Sequence, residues 1–593
     1  MMKLGRKAAQ IINVAPSWII RKISNKQFLI AGAVIVGLWA GLTAVLLKIS
    51  VHYLHGWLHV LGQHYNWIYF VSPGIGILAT YVFIELILKG NLLKGTSHVL
   101  FSIARKSSIL PRSEIFSHAV TSALTVGLGG SAGLESPIVQ TGSAIGSTFA
   151  SFFPVGYRDR TLLLACGAAA GIATAFNAPI AGVLFALEVL LVDVSISAFI
   201  PLLIAGATGA LCSKIILNEN ILLSFKQAGN FNYYNVPLYI LLGILCGLIS
   251  VFYIQTFVKL EIFFSGTFKS KIVKLIVGAS LLGGVVILFP ALFGEGYNSI
   301  TLLANQKPEE LFRWSILGDF ILQSPWIIGI SILIISLIKV FAVSLTLNAG
   351  GNGGNFAPAL FVGACLGFSF AFLMGTSGLA NVPTSNFCLV AMAGVLTGIF
   401  HAPLTGVFLI AELTGGYELM IPLMIVSAIS AGISRYLNPR SLDEEKLSIS
   451  DSPLSLNKDS HVLSELSLKA FIEKDFITVP LGSTLQVLVD SIARSKRNIF
   501  PVVDGHQKLM GVIALEDIRE IMFNSSVYNS VLVDKLMRKP IVTVSVYEEM
   551  GVVMEKFDKT GVWNIPVLDG DRYIGFVSKS RIFSNYREKL RDD

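Results

Sequence analysis

GLGGSAGLESPIVQTGSAIG, residues 127–146, is the stretch whose reading decides the fold. It is glycine-rich, is broken by Pro137, and carries one ionisable group, Glu135, between two apolar runs. A carboxylate in membrane-grade sequence is costly, so it marks a functional site. Pro137 suits the first turn of a helix, where its missing N–H removes no bond. The small residues before it let the backbone approach another group closely. Such a loop-to-helix junction aims unpaired N–H groups and a positive dipole end at one spot, which favours an anion. Glu135 is then the protein's own anion, competing for that spot.

The frame occurs twice. Gly133-Leu134-Glu135-Ser136-Pro137 returns as Gly354-Asn355-Phe356-Ala357-Pro358, and each proline is followed by glycines at five and nine residues, Gly142 and Gly146, then Gly363 and Gly367. Further on, Ala178-Pro179 with Gly182-Val183 returns as Ala402-Pro403 with Gly406-Val407, and each unit ends in a glutamate, Glu188 or Glu412. The spacing from the first proline to the second is 42 residues in one copy and 45 in the other. Paired interruptions of apolar helices in two halves of a chain point to a transport site at membrane depth. The matching positions of Glu188 and Glu412 suggest roles at helix ends or in packing.

Composition agrees. Of 593 residues, 53% are hydrophobic and 14% charged, with a mean hydropathy of +0.70; a soluble protein carries roughly 25% charged residues. Apolar segments at 28–50, 67–88, 160–192, 196–217, 236–260, 271–292, 326–347, 356–374, 386–413 and 419–437 are predicted membrane helices, several broken by Gly or Pro. Residues 1–27 carry Lys3, Arg6, Lys7, Arg21, Lys22 and Lys26 without an acid, which by the positive-inside bias places this tail in the cytoplasm. No cleavable signal pattern precedes the first span. After a polar stretch at 438–470, short β-rich runs alternate with helical pattern in two related units: Phe500-Pro501-Val502-Val503-Asp504 recurs as Ile565-Pro566-Val567-Leu568-Asp569.

Other readings fall away on their context. The pI near 9 comes with no basic stripe interleaved with aromatics, so nucleic acid is not an expected partner. Gly127, Gly129 and Ala132 fit a dinucleotide fingerprint but lie in membrane helix rather than after a strand. No phosphate loop of a nucleotide-driven pump occurs, and no Ser/His/Asp grouping is framed as a catalytic site, so the chain is not read as an enzyme. The five cysteines lack ligand spacing. His52, His55 and His59 share a helical face, but their neighbours Tyr53 and Trp57 read as a membrane-interface helix end, not a metal site.

These residues resemble the CLC family of chloride channels and proton-coupled chloride exchangers, followed by a pair of CBS domains, over nearly the whole chain after the tail. GLESP at 133–137 is similar to the family's glutamate-bearing motif and GNFAP at 354–358 to its second anion-binding loop. Gly95-Thr96-Ser97-His98-Val99 stands where the first loop, usually GSGIP, is found, and keeps only the glycine and Ser97. The resemblance implies a mainly α, polytopic, inverted-repeat fold with broken helices, a cytoplasmic α/β CBS pair, and a homodimer with one anion path per subunit. It implies chloride held by Ser97 Oγ and the Asn355 and Phe356 N–H groups, with Gly133 and Ala357 as further anion-binding residues, Pro137, Gly354 and Pro358 shaping the loops, and Glu135 as gate. Two departures bear on mechanism. Where the family's exchangers carry a second, proton-handing glutamate, this chain has Val189, which favours a passive channel over an antiporter. Where an inner tyrosine coordinates chloride, the place falls near Asp443, so a differently shaped inner gate is expected and the tyrosine role is not carried over.

The physics runs beside the resemblance. Taking an ion out of water costs several kcal/mol, whereas one helix terminus returns about 0.3–2 kcal/mol, so several ends must converge. The loops hold no Lys or Arg, which keeps binding weak enough for release. The expected layout is a basic tail at 1–27, a transmembrane anion-transport domain at 28–437 with repeats 28–217 and 236–437, a linker at 438–470, and a CBS pair at 471–593 with units 475–523 and 536–584. No cofactor is required. Asp517 is the candidate residue for the ribose of ATP or another adenine nucleotide; Arg581 takes that place in the second unit. The expected protein is a multi-pass membrane chloride channel with both termini cytoplasmic, in the plasma or inner membrane if bacterial. Antiport is the alternative. A cation or neutral-solute transporter, or a membrane-anchored nucleotide sensor, remain as other classes.

Overall fold

The computed structural model describes residues 24–62, 67–191, 196–217, 231–313, 315–449, 468–548 and 550–583. Most of the basic tail, 1–23, and residues 450–467 of the expected linker lie outside these. The chain separates into two units, 1–454 and 455–593.

The first unit is helical; among the described residues, apart from the short turn Gly318–Ile321 and the last helix, Leu442–Ile449, its helices fall into two runs of eight. The first run is α1 (Asn25–Gly62), α2 (Ile68–Leu86), α3 (Thr96–Arg105), α4 (Glu114–Gly127), α5 (Glu135–Ser151), α6 (Tyr157–Phe176), α7 (Pro179–Phe185, extended by one π turn, Ala186–Leu190) and α8 (Ile196–Leu217). The second is α9 (Val236–Thr267), α10 (Lys271–Leu288), α11 (Tyr297–Ala304), α12 (Pro325–Asn348), α13 (Phe356–Thr376), α14 (Thr384–Phe400), α15 (Pro403–Thr414) and α16 (Met420–Leu437). Packing repeats with the sequence: α5 lies on α6 as α13 lies on α14, and α1 on α8 as α9 on α16. Nine helices among the described residues are long and apolar enough to cross a membrane.

Two segments that hydropathy runs together across a proline are each two helices. The segment 160–192 breaks at Asn177 and 386–413 breaks at His401, both in the left-handed region with φ 53° and 56°. The alanine after each precedes a proline, which disfavours helical backbone there, and the proline opens the next helix. Helices α4 and α5 were absent from the apolar segments. The buried residues of α4 include Ser117, His118, Thr121, Ser122 and Thr125, too polar for a hydropathy reading yet enclosed by other helices.

The repeated glycines are contact points. A Cβ on Gly142 would lie 2.2 Å from the Gly167 carbonyl oxygen, and one on Gly146 would lie 2.1 Å from that of Leu163, so α5 and α6 touch backbone to backbone. Gly363 and Gly367 meet Ala391 and Phe387 of α14 in the same way, at 2.5 and 2.1 Å. Close approach through small residues four apart is how apolar helices gain packing where no water drives them together.

The paired glutamates cap helices across the repeat. The Glu188 carboxylate accepts the N–H groups of Leu404 (2.9 Å) and Thr405 (2.7 Å) at the start of α15, together with the Thr405 hydroxyl at 2.7 Å. Glu412 accepts the N–H groups of Ile180 (3.0 Å) and Ala181 (2.8 Å) at the start of α7. Each thus satisfies donors that a helix start leaves unpaired, as their matching positions suggested.

The membrane unit does not end at 437. Residues expected in a polar linker form α17 (Leu442–Ile449), which packs on α3 and buries Leu442, Asp443 and Leu447. Among the described side chains only two buried apolar positions, Leu442 and Leu447, secure it, too few to register as a span.

The second unit holds two three-stranded sheets of one topology. In each the first strand pairs parallel to the second and the second antiparallel to the third: Val479–Pro480, Ile499–Val503 and Leu509–Ala514, then Val544–Ser545, Asn564–Asp569 and Arg572–Ser578. Chain that precedes the first sheet belongs to the second: Leu468 and Phe471 join its core, and Glu473 exchanges backbone bonds with Phe576.

Gly142→Leu is expected to yield no monodisperse protein, because the crossing has no room for a side chain and overpacking costs about 1–3 kcal/mol even where neighbours relax. Gly56→Ala, where nothing lies within 4 Å, should hold or raise the melting temperature. Size exclusion and thermal melting in detergent read both, and a normally folded Gly142→Leu protein would contradict the crossing.

Candidate functional site

The two interrupted loops meet each other directly. Gly133 N–H donates to the Gly354 carbonyl at 2.9 Å and Gly354 N–H to the Gly133 carbonyl at 2.8 Å, a two-bond antiparallel bridge between the repeats. A Cβ on Gly133 would meet Ala357 at 3.0 Å and one on Gly354 would meet Ser136 at 2.6 Å, so glycine is required at both. This corrects the expectation for Gly133. Its N–H is engaged by the opposite loop and is not offered to an ion.

The bridge sets the starts of α5 and α13 side by side. Glu135, the first residue of α5, is 2% exposed, and its Oε2 accepts the Ala357 N–H at 3.3 Å. Its Oε1 accepts a short hydrogen bond from the Tyr297 hydroxyl. The gate candidate therefore lies in the first turn of α13, at donors that have no helical acceptor. Asn355 and Phe356 border the same cavity, with Gly354 and Ser136. The Asn355 side chain is fixed by the Tyr253 hydroxyl at 3.0 Å. The Phe356 ring packs against Phe176, Phe185 and Phe400, at centroid distances of 5.5, 6.1 and 5.5 Å. Pro137 and Pro358 sit in the first turns of α5 and α13.

The first loop enters one residue earlier than expected. Gly95, at φ 95°, turns the chain so that α3 begins at Thr96. Gly95 and Thr96 line the cavity, and the Thr96 hydroxyl lies 3.0 Å from that of Ser136. Ser97, buried one position on, is not among the lining residues; its N–H faces the Asp443 carboxylate. The hydroxyl at the cavity is thus Thr96's, because the helix start fixes which side chain faces inward. Asp443 is buried and lines the cavity beside Lys446, whose ammonium lies 4.3 Å from the Phe257 ring centroid. A carboxylate stands where the resemblance places a phenol, and it occupies the N-terminus of α3.

Several polar groups around Glu135 went unread in the sequence. Glu295 accepts the Leu134 N–H at 3.3 Å, immediately before the gate residue. Lys48 donates to the Ala175 carbonyl at 2.7 Å and acts electrostatically on both Glu135 and Glu295. Lys339, fully buried, donates to the Gly294 carbonyl at 3.0 Å and lies 4.9 Å from the Phe361 ring centroid. The signal available was Gly294-Glu295-Gly296-Tyr297, a second acid between glycines ahead of an apolar helix. Of the three histidines on α1, His55 bonds the Val126 carbonyl at 2.9 Å. Val189 packs against the apolar core.

In the second unit Asp517 is already engaged. Its carboxylate accepts from the Ala514 N–H at 3.2 Å and from the Arg538 guanidinium. A ribose hydroxyl there has to displace an arginine.

The geometry agrees with the comparisons. A family model described as voltage gated chloride channel matches residues 76–435, and the CBS domain model matches 468–524 and 533–588. Chloride channel protein CLC-e of Arabidopsis thaliana is 26% identical over 562 residues, covering 84% of this chain and 76% of its own. A putative chloride channel protein, ClcB-like, of Ralstonia nicotianae is 28% identical over 365 residues, 60% of this chain and 80% of its own. A slow cyanobacterial Cl−/H+ antiporter of known crystal structure superposes with a TM-score of 0.62 at 21% identity, over 72% of this chain and 98% of that one, a likeness of fold. A family match across more than half the sequence, on a duplicated frame whose glutamate-bearing loop is docked on its partner loop, places the chain in the voltage-gated chloride channel (CLC) family, whose members move chloride across membranes.

Proposed function

We propose that this protein is a gated, passive chloride channel in which Glu135 closes the anion path. The observation that carries the reading is the Glu135 carboxylate on the Ala357 N–H at the start of α13. A tethered anion holds the place that a dehydrated chloride needs. Chloride enters when Glu135 leaves or takes up a proton, and it is then held by the helix starts at Thr96 and at Asn355–Ala357. Those donors are dipolar rather than charged, which keeps binding weak enough for passage. Val189 supports passive flow, since an alkyl side chain carries no proton. Antiport is the alternative, and the fold neighbours include a Cl−/H+ antiporter. We further propose a homodimer, with the second unit acting on the first as a regulatory CBS pair. The Asp517–Arg538 pairing argues against a ribose contact at Asp517 in this conformation.

Three outcomes test the reading. Glu135→Gln should give chloride flux that no longer responds to pH on the side from which Glu135 is reached; an undiminished response removes Glu135 as gate. Tyr297→Phe takes away the donor that holds the carboxylate closed. A hydrogen bond to a charged group contributes about 1.5–3 kcal/mol, so flux at neutral pH should rise by about tenfold or more in stopped-flow liposome assays, while unchanged flux would assign the tyrosine to packing alone. Anion and proton movement recorded together in proteoliposomes should show chloride flow without stoichiometric protons. A fixed ratio would make the protein an exchanger.

A further inference from the structure

Behind the first loop lies a buried cluster that the gate does not use. His98 on α3 and Glu114 and His118 on α4 are each 5% exposed or less. One carboxylate oxygen, Glu114 Oε2, lies 3.6 Å from His98 Nδ1 and 3.7 Å from His118 Nε2. At those lengths neither imidazole is hydrogen-bonded to it. Both nitrogens of His98, Glu114 Oε2 and His118 Nε2 make no hydrogen bond within the chain. On its far side His118 Nδ1 faces the Asn352 amide at 3.4 Å, and that amide donates to the Thr121 hydroxyl at 2.7 Å. Asn352 stands two residues before Gly354, so the cluster touches both anion loops; His98 stands two residues after Thr96.

Buried polar groups are ordinarily satisfied, and a buried carboxylate without a partner is costly. Two imidazoles around one carboxylate oxygen relieve that cost by taking up a proton. We propose that His98, Glu114 and His118 form a proton-binding site that sets chloride affinity from the face of the protein carrying the 106–113 loop. The loop is exposed at Lys106, Ile109 and Pro111 through Ser113, and it leads directly into Glu114. The same face holds the start of α1: Arg160 binds the Ser107 carbonyl at 3.1 Å, and Asp159 beside it accepts from Asn25 at 3.1 Å. With a basic N-terminal tail this is the cytoplasmic face by the positive-inside bias.

The sign follows from charge. Each proton the cluster takes from water adds one positive charge next to the α3 start. Acid on this face therefore strengthens chloride binding. Charged and titratable groups around the cluster include Lys94, whose ammonium donates to the Gly350 and Gly351 carbonyls beside Asn352, Lys106 and Arg112 on the loop, Arg160 bonded to it, Asp443, Glu444, Glu445 and Lys446 on α17, Glu135 on α5, Lys48, His52 and His55 on α1, and Tyr69, Tyr81 and Glu85 on α2. Of these, Lys106 acts on His98, alongside Glu114 and His118.

The inference rests on the anion site proposed above, and its test is made in a Glu135→Gln background so that the gate's own titration is absent. Full-length protein in liposomes is assayed for chloride flux against chloride concentration, with pH set separately on each side. On the 106–113 face, half-saturating chloride should rise about tenfold from pH 5.5 to 7.5, the scale of one nearby unit charge at moderate screening. Adding His98→Gln with His118→Gln should reduce that change to under twofold while flux persists at pH 5.5. A pH response that survives the double substitution, or a Glu135→Gln protein flat to pH on this face, overturns the site and leaves the gate reading intact. Persistent sensitivity on the opposite face refutes the gate and leaves this site standing.

Discussion

An ion stripped of water has to be held by something, and this chain sets no lysine or arginine in its two glycine-rich loops. Within those loops what remains is the backbone: the N–H groups that a helix start cannot satisfy itself. One start is too weak, so the architecture is bound to bring several to one place. The two-bond bridge between Gly133 and Gly354 does this. It fixes the register of the repeats at the point where α5 and α13 begin, and only glycine fits its close contacts. Duplication is therefore part of the site's chemistry rather than only the history of the chain.

Holding helix starts inward at membrane depth requires that everything behind them be packed without loose polar backbone. The glycine crossings of α5 on α6 and of α13 on α14 supply rigidity, backbone against backbone. The reciprocal caps supply satisfaction, with Glu188 on the start of α15 and Glu412 on the start of α7. Both glutamates are acids deep in apolar sequence, as Glu135 is, yet they do different work. Theirs is fixed by two N–H donors each, in a place where another helix supplies the donors. Glu135 holds one backbone donor and one hydroxyl, and it borders a cavity. The number and kind of donors separate a structural acid from one able to move.

The duplicated glycine–proline frame was legible because it is a spacing pattern, and spacing survives in sequence. From it came the repeat, the positions of both loops and the helix-end roles of the paired glutamates. Hydropathy was less faithful. It joined α6 to α7 and α14 to α15, since one left-handed residue, Asn177 or His401, breaks a helix without changing its polarity. It passed over α4, whose polar face is enclosed by protein. Ser97 was one residue out because the turn at Gly95 decides which hydroxyl faces the cavity, and a turn's φ is not written in a motif. Tyr297, Glu295 and Lys48 come from elements distant in sequence, so only the fold brings them to Glu135.

The placement of Asp443 ties these points together. A carboxylate facing an anion path looks like an error when read alone, because it repels the ion being carried. In the structure it faces the Ser97 N–H at the start of α3, while Glu135 receives the Ala357 N–H at the start of α13. The helix starts at α3 and α13 that frame the cavity thus each have a tethered anion of the protein beside them. Bare dipole ends in an apolar interior would be costly to maintain and would trap the first ion to arrive. With a carboxylate already present, an entering chloride replaces one negative charge by another, and the difference in free energy stays small. Weak net binding then follows from competition as well as from the dipolar donors.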